Sequence, residues 1–453
     1  MFDRVSCAAR FVVRWPLPLA ALLALASCGD TARYPIDSGT GPDPQLPAPV
    51  RRLIPTVKVA PVKPWAEGAK PVAAGDLQVA AFARGLDHPR WLYVLPNGDV
   101  LVAETNAPPR PQAAQNGIRA KVMASMQKKA GAATPSANRI TLLRDADGDG
   151  VAELRTQFLS GLYSPFGMAL VGDRFYVANA DALVSFPYKP GDTQISAPPT
   201  FVANLPGGIN HHWTKSLVAS PDGSRLYVGV GSNSNVAENG MDAELNRAAV
   251  LEISPADGAT RVYASGLRNP VGLAWEPGRQ TLWVVVNERD ELGSDLVPDY
   301  LTQVHAGGFY GWPYSYYGHH VDARVSPQDP AKVAQAIKPD YALGAHTASL
   351  GLAFGTSDRL PARYRGGAFI GQHGSWNRDP PAGYKVVYVP FVDGRPQGKP
   401  LTVLDGFLDA DGNAQGRPVG VAIDGQGALL VADDVGNAIW RVSAKDAARA
   451  PIP

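Results

Sequence analysis

Histidine, arginine and asparagine side chains recur at one kind of position in this chain of 453 residues, directly ahead of short apolar segments. An imidazole can exchange a proton near neutral pH, and a guanidinium group can bind a carboxylate through two parallel hydrogen bonds. Such groups at equivalent positions indicate the entrance of a functional cavity, provided that the fold brings them together. The histidines lack the spacing of a helix-borne zinc motif, so no zinc site is predicted. The six places are His88-Pro89-Arg90, Tyr163-Ser164-Pro165, Asn210-His211-His212-Trp213, Arg268-Asn269-Pro270, His346-Thr347-Ala348 and Gly416-Arg417-Pro418.

The segments that follow these residues form an internal repeat, and this repeat must position them. Each unit has a strand of small and apolar residues, a turn rich in Pro, Asp and Gly, and a second apolar strand, as in residues 89–104 and 418–433. This hairpin pattern occurs six times. Six hairpins, each extended to a four-stranded blade, predict an all-β fold, a six-bladed β-propeller over residues 76–446. A β-sandwich, the alternative architecture, does not explain six repeats.

The loops ahead of the innermost strands of a propeller meet at one end of its axis, and we call them the lead-in loops. Their polar groups are therefore expected to face one shared cavity. Residues 106–138 are an insertion rich in Ala, Lys, Gln and Met, with a short helix expected over 121–129. This helix either covers the cavity or lies elsewhere on the surface.

The N-terminus has the pattern of an export signal. Three arginines precede the apolar segment 18–26, which is too short to span a bilayer as a mature helix. The segment ends in Leu25-Ala26-Ser27-Cys28, which resembles the lipobox of bacterial lipoproteins. We expect residues 1–27 to be removed, Cys28 to carry lipid, and the protein to be anchored in the periplasm, at the outer membrane because no Asp directly follows Cys28. The alternative is an ordinary signal peptide with a chance cysteine.

Residues 28–75 are rich in Pro, Ala, Gly and Asp, and this composition predicts a disordered, flexible tether between the lipid and the propeller. The alternative, that part of the segment pairs as an edge strand, applies mostly to residues 57–62.

Cysteine content and charge exclude several classes of site. The two cysteines are Cys7 and Cys28, so the propeller has no thiol, disulfide or thiolate metal site. The formal net charge is +1, and no basic patch indicates binding to nucleic acid. The chemistry must therefore come from oxygen and nitrogen groups or from a cofactor.

Four segments of the chain resemble the soluble sugar dehydrogenases that depend on pyrroloquinoline quinone (PQQ). Residues 266–275 and 307–314 (Gly-Gly-Phe-Tyr-Gly-Trp-Pro-Tyr) match segments of that family, with Asn287-Glu288-Arg289-Asp290 between them. The segment 373–378 resembles the sorbosone and pyranose dehydrogenase branch. The resemblance covers residues 75–445. It implies a PQQ- and calcium-dependent enzyme that oxidises a sugar, an aldose or a sorbosone-like compound, by hydride transfer to the quinone.

The resemblance also implies roles for individual residues. His212 takes the substrate hydroxyl proton, and Arg268 stabilises negative charge on the quinone. His211 occupies the place of an acid that orients the base in other members, so the choice between the two histidines stays open. A calcium ion is held by backbone carbonyls at Asp290 and Glu291. The cofactor itself is bound by Lys215, Arg268, Asn269, His373, Arg378 and Arg417.

A separate acidic segment resembles the start of a calcium loop. Asp145, Asp147 and Asp149 alternate ahead of Gly150, but Thr156 stands where the bidentate glutamate of such a loop is expected. The segment is either a second, structural calcium site or an acidic turn.

Two other functions are compatible with a propeller of this kind. One is a calcium-dependent lactonase, with acidic and amide groups around a metal on the axis. The other is a propeller that binds a glycan or a protein without catalysis.

An oxidoreductase would also need an electron acceptor, for which a periplasmic cytochrome or a membrane quinone is expected. Since no haem-attachment motif is present in the sequence, any haem belongs to a partner.

Overall fold

The structure, a computed structural model, describes residues 29–52, 56–109, 118–208 and 212–445. The predicted signal peptide, the lipidation site Cys28 and His211 lie outside these residues. No helix in the described ranges is long and apolar enough to cross a membrane.

Three strands precede the first hairpin: β1 (Thr40–Gly41), β2 (Val72–Ala73) and β3 (Leu77–Arg84). The first blade contains β4 (Pro89–Val94), β5 (Val100–Glu104), β6 (Arg139–Arg144) and β7 (Leu154–Leu159). The second contains β8 (Gly167–Val171), β9 (Arg174–Ala178), β10 (Ala182–Pro187) and β11 (Thr200–Asn204). The third contains β12 (Lys215–Ala219), β13 (Leu226–Val230), β14 (Ala249–Ile253) and β15 (Thr260–Ser265).

The fourth blade contains β16 (Pro270–Glu276), β17 (Thr281–Val286), β18 (Pro298–Gln303) and β21 (Tyr341–Ala345), and the small hairpin β19 (Ser315–Tyr316) and β20 (His320–Val321) is inserted before β21. The fifth contains β22 (Ser349–Phe354), β23 (Ala368–Gln372), β24 (Lys385–Val389) and β27 (Leu401–Asp405), with the hairpin β25 (Phe391–Val392) and β26 (Arg395–Pro396) inserted. The sixth contains β28 (Pro418–Ile423), β29 (Leu429–Asp433) and β30 (Ala438–Ala444). Within the described ranges the helices are α1 (Ile118–Lys129), α2 (Pro330–Gln335) and 3-10 turns at Ile36–Gly39, Met241–Glu244 and Ala362–Tyr364.

The ring is closed by the N-terminal strand β3, which pairs antiparallel with β30 from Leu77↔Ala444 to Arg84↔Ala438 and completes the sixth blade. Joining the two ends of the chain in one blade leaves the ring without a free gap between its first and last blades. The predicted six-bladed, all-β propeller is confirmed.

The innermost strands β4, β8, β12, β16, β22 and β28 begin within two residues of the predicted lead-in residues and line the axis. Glycines in them allow backbones from neighbouring blades to approach closely. A Cβ atom on Gly351 would lie 2.2 Å from the carbonyl oxygen of Val419, and one on Gly420 would lie 2.7 Å from that of Arg90. The recurring glycines of the sequence repeat are therefore required by crowding around the axis.

The N-terminal segment differs from the predicted flexible tether, since residues 29–52 and 56–75 lie against the propeller. Strand β1 pairs with β21, and β2 pairs with β27, each as an added edge strand. Asp30 is buried and accepts a hydrogen bond from the backbone N–H of Ser294 at 2.9 Å. Within the predicted edge-strand region, Val62 forms a single bridge with Ala414. Composition alone predicts a tether because it carries no information on individual contacts such as these.

Candidate active site

Two sets of loops meet at one end of the propeller. Strands β16 and β17 are antiparallel, so the loop after β17 returns to the end at which β16 begins, and the same holds in every blade. The lead-in loops and the loops that follow each second strand therefore share this face, which we call the lead-in face. The site described below lies there.

His212 and Asn269, from the third and fourth blades, are brought together by Gly231. A Cβ atom on Gly231 would lie 2.4 Å from both Asn269 Oδ1 and His212 Cβ, so only glycine leaves space for the pair. Asn269 is buried, and its Oδ1 has no hydrogen-bond partner among the described residues. The predicted pair of base and quinone-binding amide is therefore adjacent.

The Nδ1 atom of His212 lies 2.9 Å from the carbonyl oxygen of Ser232 and 3.1 Å from its hydroxyl. Because a carbonyl only accepts, the neutral imidazole carries its proton on Nδ1, and Nε2 is its basic nitrogen. Ser232 thus orients the histidine, the role that the resemblance gives to an acid at the position of His211.

Arg268 is almost fully buried on the fourth blade, with 1% of its surface exposed. Its Nη2 donates to Asn235 Oδ1 at 2.9 Å and lies 3.4 Å from Asp290 Oδ2. Its Nη1 donates to the carbonyl oxygen of Glu288 at 2.5 Å. These acceptors hold the guanidinium in one orientation.

His346, from the fifth blade, approaches the same carboxylate from another side. Its Nδ1 lies 3.4 Å from Asp290 Oδ1, and its Nε2 donates to the carbonyl oxygen of Gly293 at 2.8 Å. Burial alone would lower the pKa of His346, but the hydrogen bond and charge of Asp290 raise it above its ordinary value. His346 therefore gains positive character beside Asp290.

Asp434 is the centre of a second cluster, formed by the sixth, first and fifth blades. Its Oδ2 accepts from Arg90 Nη1 at 2.7 Å and lies 2.9 Å from His373 Nε2 and 3.5 Å from His88 Nε2. Burial would raise the pKa of Asp434, but His373, His88 and Arg90 lower it far below its usual range. Burial lowers the pKa of His88 to about 4, so this ring is neutral at neutral pH beside a charged carboxylate.

Arg417 lies next to this cluster and is also buried. Its Cζ lies 5.0 Å over the ring of Tyr384, and its Nη2 donates to the carbonyl oxygen of Ala60 at 3.3 Å. The Nε atoms of Arg417 and Arg90 are buried without a hydrogen-bond partner among the described residues. Buried donors of this kind are normally satisfied, so the cluster is suited to an additional anionic or carbonyl acceptor.

The two clusters adjoin through Arg90 and Trp213. The guanidinium of Arg90 lies 5.8 Å over the ring of Trp213, the residue after His212. One group of residues thus reaches from Asp434 in the sixth blade to the proposed base in the third.

Lys215 is completely buried at the start of β12, and its Nζ donates to the carbonyl oxygen of Trp213 at 3.0 Å. Burial, together with the nearby charge of Arg247, lowers its pKa to about 7. No carboxylate of the described residues lies within ion-pair distance of Lys215. A ligand carboxylate would restore its charge.

The contacts of Arg378 among the described residues are with Ser294 and Asp295, and none of them is with the two clusters above. Its Nη1 donates to the carbonyl oxygen of Ser294 and lies 3.2 Å from Asp295 Oδ1. Together with Asp295 it lines a crevice against the N-terminal residues 34–47. Its observed role is to hold that segment, whereas the resemblance implied contact with the cofactor.

The predicted calcium position does not fit the contacts of Asp290. Its carbonyl oxygen accepts from Arg324 Nη1 at 2.8 Å and from Asn235 Nδ2 at 3.3 Å. The backbone N–H of Glu291 donates to Asn377 Oδ1 at 3.2 Å. The carbonyl that was expected to bind calcium is thus already bound by a cationic side chain.

The acidic segment Asp145, Asp147 and Asp149 lies at the opposite end of the propeller, between β6 and β7. Together with Glu153 it places four carboxylate oxygens within 4.8 Å of one another. The segment folds as a turn whose backbone N–H groups are bound by Asp145 and Asp149, for example Gly148 N–H to Asp145 at 2.8 Å, and the second calcium site stays a prediction. It is separate from the candidate active site.

Sequence reasoning did not identify Asp434, Asn235, Ser232 and Arg324 as site residues. All four lie in loops after a second strand or in an insertion, where no repeat marks them. Topology could have indicated Asp434, Asn235 and Ser232, because the loop after each second strand returns to the lead-in face.

The insertion 106–138 also lies at this face where the structure describes it. The carbonyl oxygen of Lys129, at the end of α1, accepts from the backbone N–H of Val62 at 3.1 Å. The N-terminal segment and the insertion therefore contact each other on the side of the propeller that carries the site.

Curated relatives share parts of this chain. An uncharacterised protein of Borreliella burgdorferi is 31% identical over 234 residues, which are 51% of this chain and 60% of that protein. The pyrroloquinoline quinone-dependent pyranose dehydrogenase of Coprinopsis cinerea is 26% identical over 265 residues, 48% of this chain and 35% of that protein. The chain thus spans between 35% and 60% of the length of these relatives.

Solved structures show the same fold at lower sequence identity. A Trichoderma reesei carbohydrate-active enzyme of family AA12 has a TM-score of 0.67 at 19% identity, covering 86% of this chain and 99% of that chain. The PQQ domain of Coprinopsis cinerea pyranose dehydrogenase in its holo form has a TM-score of 0.67 at 20% identity, covering 84% and 98%. A PQQ-bound aldose sugar dehydrogenase from Streptomyces coelicolor has a TM-score of 0.53 at 18% identity, covering 83% and 100%.

The resemblance to PQQ-dependent sugar dehydrogenases is confirmed, because such enzymes are among both the relatives and the structural neighbours. The profile of the TrAA12-like family matches residues 135–306 and 319–445, which is more than half of the sequence. The chain belongs to the TrAA12-like family.

Proposed function

We propose that this protein is a PQQ-dependent oxidoreductase that oxidises a sugar. The observation that carries the proposal is a pair of buried guanidinium nitrogens, Nε of Arg90 and Nε of Arg417, which find no acceptor in the part of the chain that the structure describes. They belong to the cluster that reaches His212. Buried donors of this kind are normally satisfied, so they are suited to an acceptor from outside the described residues. Membership of the TrAA12-like family favours PQQ as that acceptor.

The donor set fits the chemistry of PQQ, a planar quinone with three carboxylates. Arg417, Arg90 and Lys215 are buried or nearly buried cations that would bind its carboxylates. Asn269, beside His212, would bind at the quinone oxygens through its amide. His373 would contribute through the cluster around Asp434. When bound, PQQ supplies a two-electron acceptor for a hydride.

His212 is proposed as the general base. The bond from Nδ1 to Ser232 fixes the neutral tautomer, so that Nε2 can take the proton from the oxygen of a substrate hydroxyl. The hydride would leave the carbon that bears this hydroxyl. Ser232 would thus orient His212 for this role. His211 lies outside the described residues, and we therefore assign the base on the geometry of His212.

Arg268 is proposed as an electrostatic partner rather than a mobile ligand. It is fixed by Asn235 and the carbonyl oxygen of Glu288, so its positive charge is preorganised on the lead-in face. The fixed positive charge of Arg268 would stabilise negative charge that develops on bound PQQ.

The substrate is proposed to be an aldose or a sorbosone-like sugar, and the electrons are proposed to pass to a cytochrome or a membrane quinone. We further propose export and lipid attachment at Cys28. The first described residues after it are docked on the propeller, since Asp30 binds Ser294. Mass spectrometry of the protein from membranes tests this, and an unmodified Cys28 in the mature chain contradicts it.

The function is tested by assaying the purified chain with PQQ, an artificial electron-acceptor dye and a panel of aldoses and sorbosone-like sugars. We expect dye reduction that requires both PQQ and sugar and that is lost in His212→Asn. The variant Lys189→Met, at an exposed position, is the matched control and should retain the activity. Lactone hydrolysis without PQQ would identify a lactonase instead, and the absence of both activities would favour a binding propeller.

A further inference from the structure

We propose that the guanidinium of Arg324 takes the place expected for calcium, so that this chain binds PQQ without a metal ion. The inference rests on the proposed function, because it concerns how the same site holds PQQ. It departs from the calcium-dependent site that the family resemblance implied.

The first observation is the occupation of the Asp290 carbonyl. Its oxygen accepts one hydrogen bond from Arg324 Nη1 and one from Asn235 Nδ2, at 2.8 and 3.3 Å. A carbonyl oxygen has two lone pairs, and both are directed at N–H donors here. Calcium would have to displace the Arg324 guanidinium to bind this oxygen.

The second observation is the surroundings of the Asp290 side chain. One carboxylate oxygen lies 3.4 Å from Arg268 Nη2, and the other lies 3.4 Å from His346 Nδ1. All three oxygens of this residue therefore face nitrogen donors. Calcium needs six to eight oxygen ligands, and the oxygens of Asp290 are already engaged by nitrogen donors, so this residue is a poor calcium ligand.

The third observation is that Arg324 is held rigidly. Its Nε and Nη2 donate to the two carboxylate oxygens of Asp322 at 2.9 and 2.7 Å, a fork that fixes the plane of the guanidinium. Asp322 is fully buried and also lies 3.2 Å from Arg289 Nη1. Only 15% of the Arg324 side chain is exposed.

The insertion between β18 and β21 delivers this arginine to the site. Trp312 in the insertion donates from Nε1 to the carbonyl oxygen of Asn235 at 3.0 Å, and Arg289 donates to the carbonyl oxygens of Pro313 and Ser315 at 2.9 and 2.7 Å. The insertion is thus bonded to the loop after β17 at several points. Arg324 is a fixed cation beside Asp290, as a bound ion would be.

A guanidinium has five N–H donors, and three of those of Arg324 are used by Asp322 and Asp290. The remaining donors and the positive charge are suited to an anionic or carbonyl oxygen of PQQ. Arg324 is therefore a binding residue in this proposal, and His212 remains the base.

The test is an equilibrium titration of the full chain with PQQ, followed by tryptophan fluorescence or calorimetry, in EDTA and in millimolar calcium. We expect equal affinity in both conditions. The variant Arg324→Ala should bind PQQ about 10- to 100-fold more weakly in EDTA, the loss typical of a charge-assisted hydrogen bond. Calcium should recover part of that loss, because the Asp290 carbonyl becomes accessible. Arg279→Ala, an exposed arginine at the far end of β16, is the matched control and should match the wild type.

The outcomes separate this inference from the proposed function. Binding of PQQ by the wild type in calcium but not in EDTA would overturn the inference and leave the function standing. No binding in either condition would remove the proposed function. The wild-type comparison needs no variant, and Arg324→Lys, which keeps the charge, covers the case in which the alanine variant does not fold. Calcium bound at Asp145 lies at the opposite end and should not change PQQ affinity.

Discussion

Replacing Lys215 by methionine is expected to stabilise the protein and to weaken its binding of PQQ. The lysine is completely buried, and its ammonium group donates a hydrogen bond to a neutral carbonyl, that of Trp213. A buried ammonium group without a carboxylate partner costs free energy in the folded state. Methionine has a similar length and no charge, so it removes this cost.

The size of the effect follows from the pKa. Burial lowers the pKa of Lys215 from 10.5 to about 7. At about 1.4 kcal/mol per pKa unit, this shift corresponds to at most about 5 kcal/mol of lost folding stability at neutral and lower pH. Because methionine packs differently from lysine, we expect a gain of about 1–3 kcal/mol in the free energy of unfolding.

The pH dependence gives the effect a signature. Below pH 7 the folded state must charge Lys215, and the full cost is present. Between pH 7 and 10.5 the unfolded chain holds more protons at this group than the folded chain, so the stability of the wild type rises with pH. The advantage of Lys215→Met should therefore be large at pH 6 and should shrink toward pH 10.

The assay is denaturant unfolding of both proteins at several pH values, with PQQ titrations of the same samples. Lys189→Met, at an exposed position, is the control and should change stability by less than about 0.5 kcal/mol. We expect Lys215→Met to bind PQQ at least about tenfold more weakly, because a charge-assisted hydrogen bond is lost. A variant that is less stable at every pH, or that binds PQQ as the wild type does, would refute the reasoning.

Three further substitutions probe the remaining groups. His212→Asn should lower kcat by about 10²–10⁴-fold with little change in PQQ affinity, because only proton removal is lost; a parallel loss of PQQ binding in titrations would argue against the role of base. Gly231→Ala should reduce activity and PQQ affinity together, since its Cβ would lie 2.4 Å from Asn269 Oδ1 and His212 Cβ, and unchanged steady-state kinetics would show that the two side chains do not need this geometry. Asp434→Asn should lower the free energy of unfolding by about 3–5 kcal/mol, because it leaves Arg90 buried without its partner; a loss below about 0.5 kcal/mol in denaturant unfolding would show that the pair is not structural.

The residues that sequence could place are those tied to the repeat. His212, Asn269 and Arg417 each precede an innermost strand, and the propeller brings such positions to one end of the axis. Their mutual arrangement needed the structure, because it depends on close backbone approaches such as that at Gly231.

The residues that sequence could not place act through long-range contacts. Asp434 follows a second strand, and Arg324 belongs to an insertion, so neither position repeats from blade to blade. Arg378 shows the converse, since its motif resembled that of the family while its guanidinium binds Asp295 and the carbonyl oxygen of Ser294. A motif specifies a residue type, whereas the direction of the side chain depends on neighbours distant in sequence.

The N-terminal segment was misjudged for a related reason. A segment rich in Pro, Gly and Asp buries little apolar surface, and composition therefore predicts a tether. Here Trp65 donates to the buried carboxylate of Asp433 at 2.8 Å, and Asp30 binds Ser294. A few specific polar contacts hold the segment, and they leave no periodic pattern in the sequence.

The most direct measurement is a crystal structure of the chain soaked with PQQ. We expect density for a flat three-ring molecule on the axis at the lead-in face, within contact of His212, Asn269 and Arg417. PQQ bound on another face of the propeller would contradict this expectation. Crystals without density at the axis, under conditions where solution titration shows that PQQ binding is saturated, would contradict it as well.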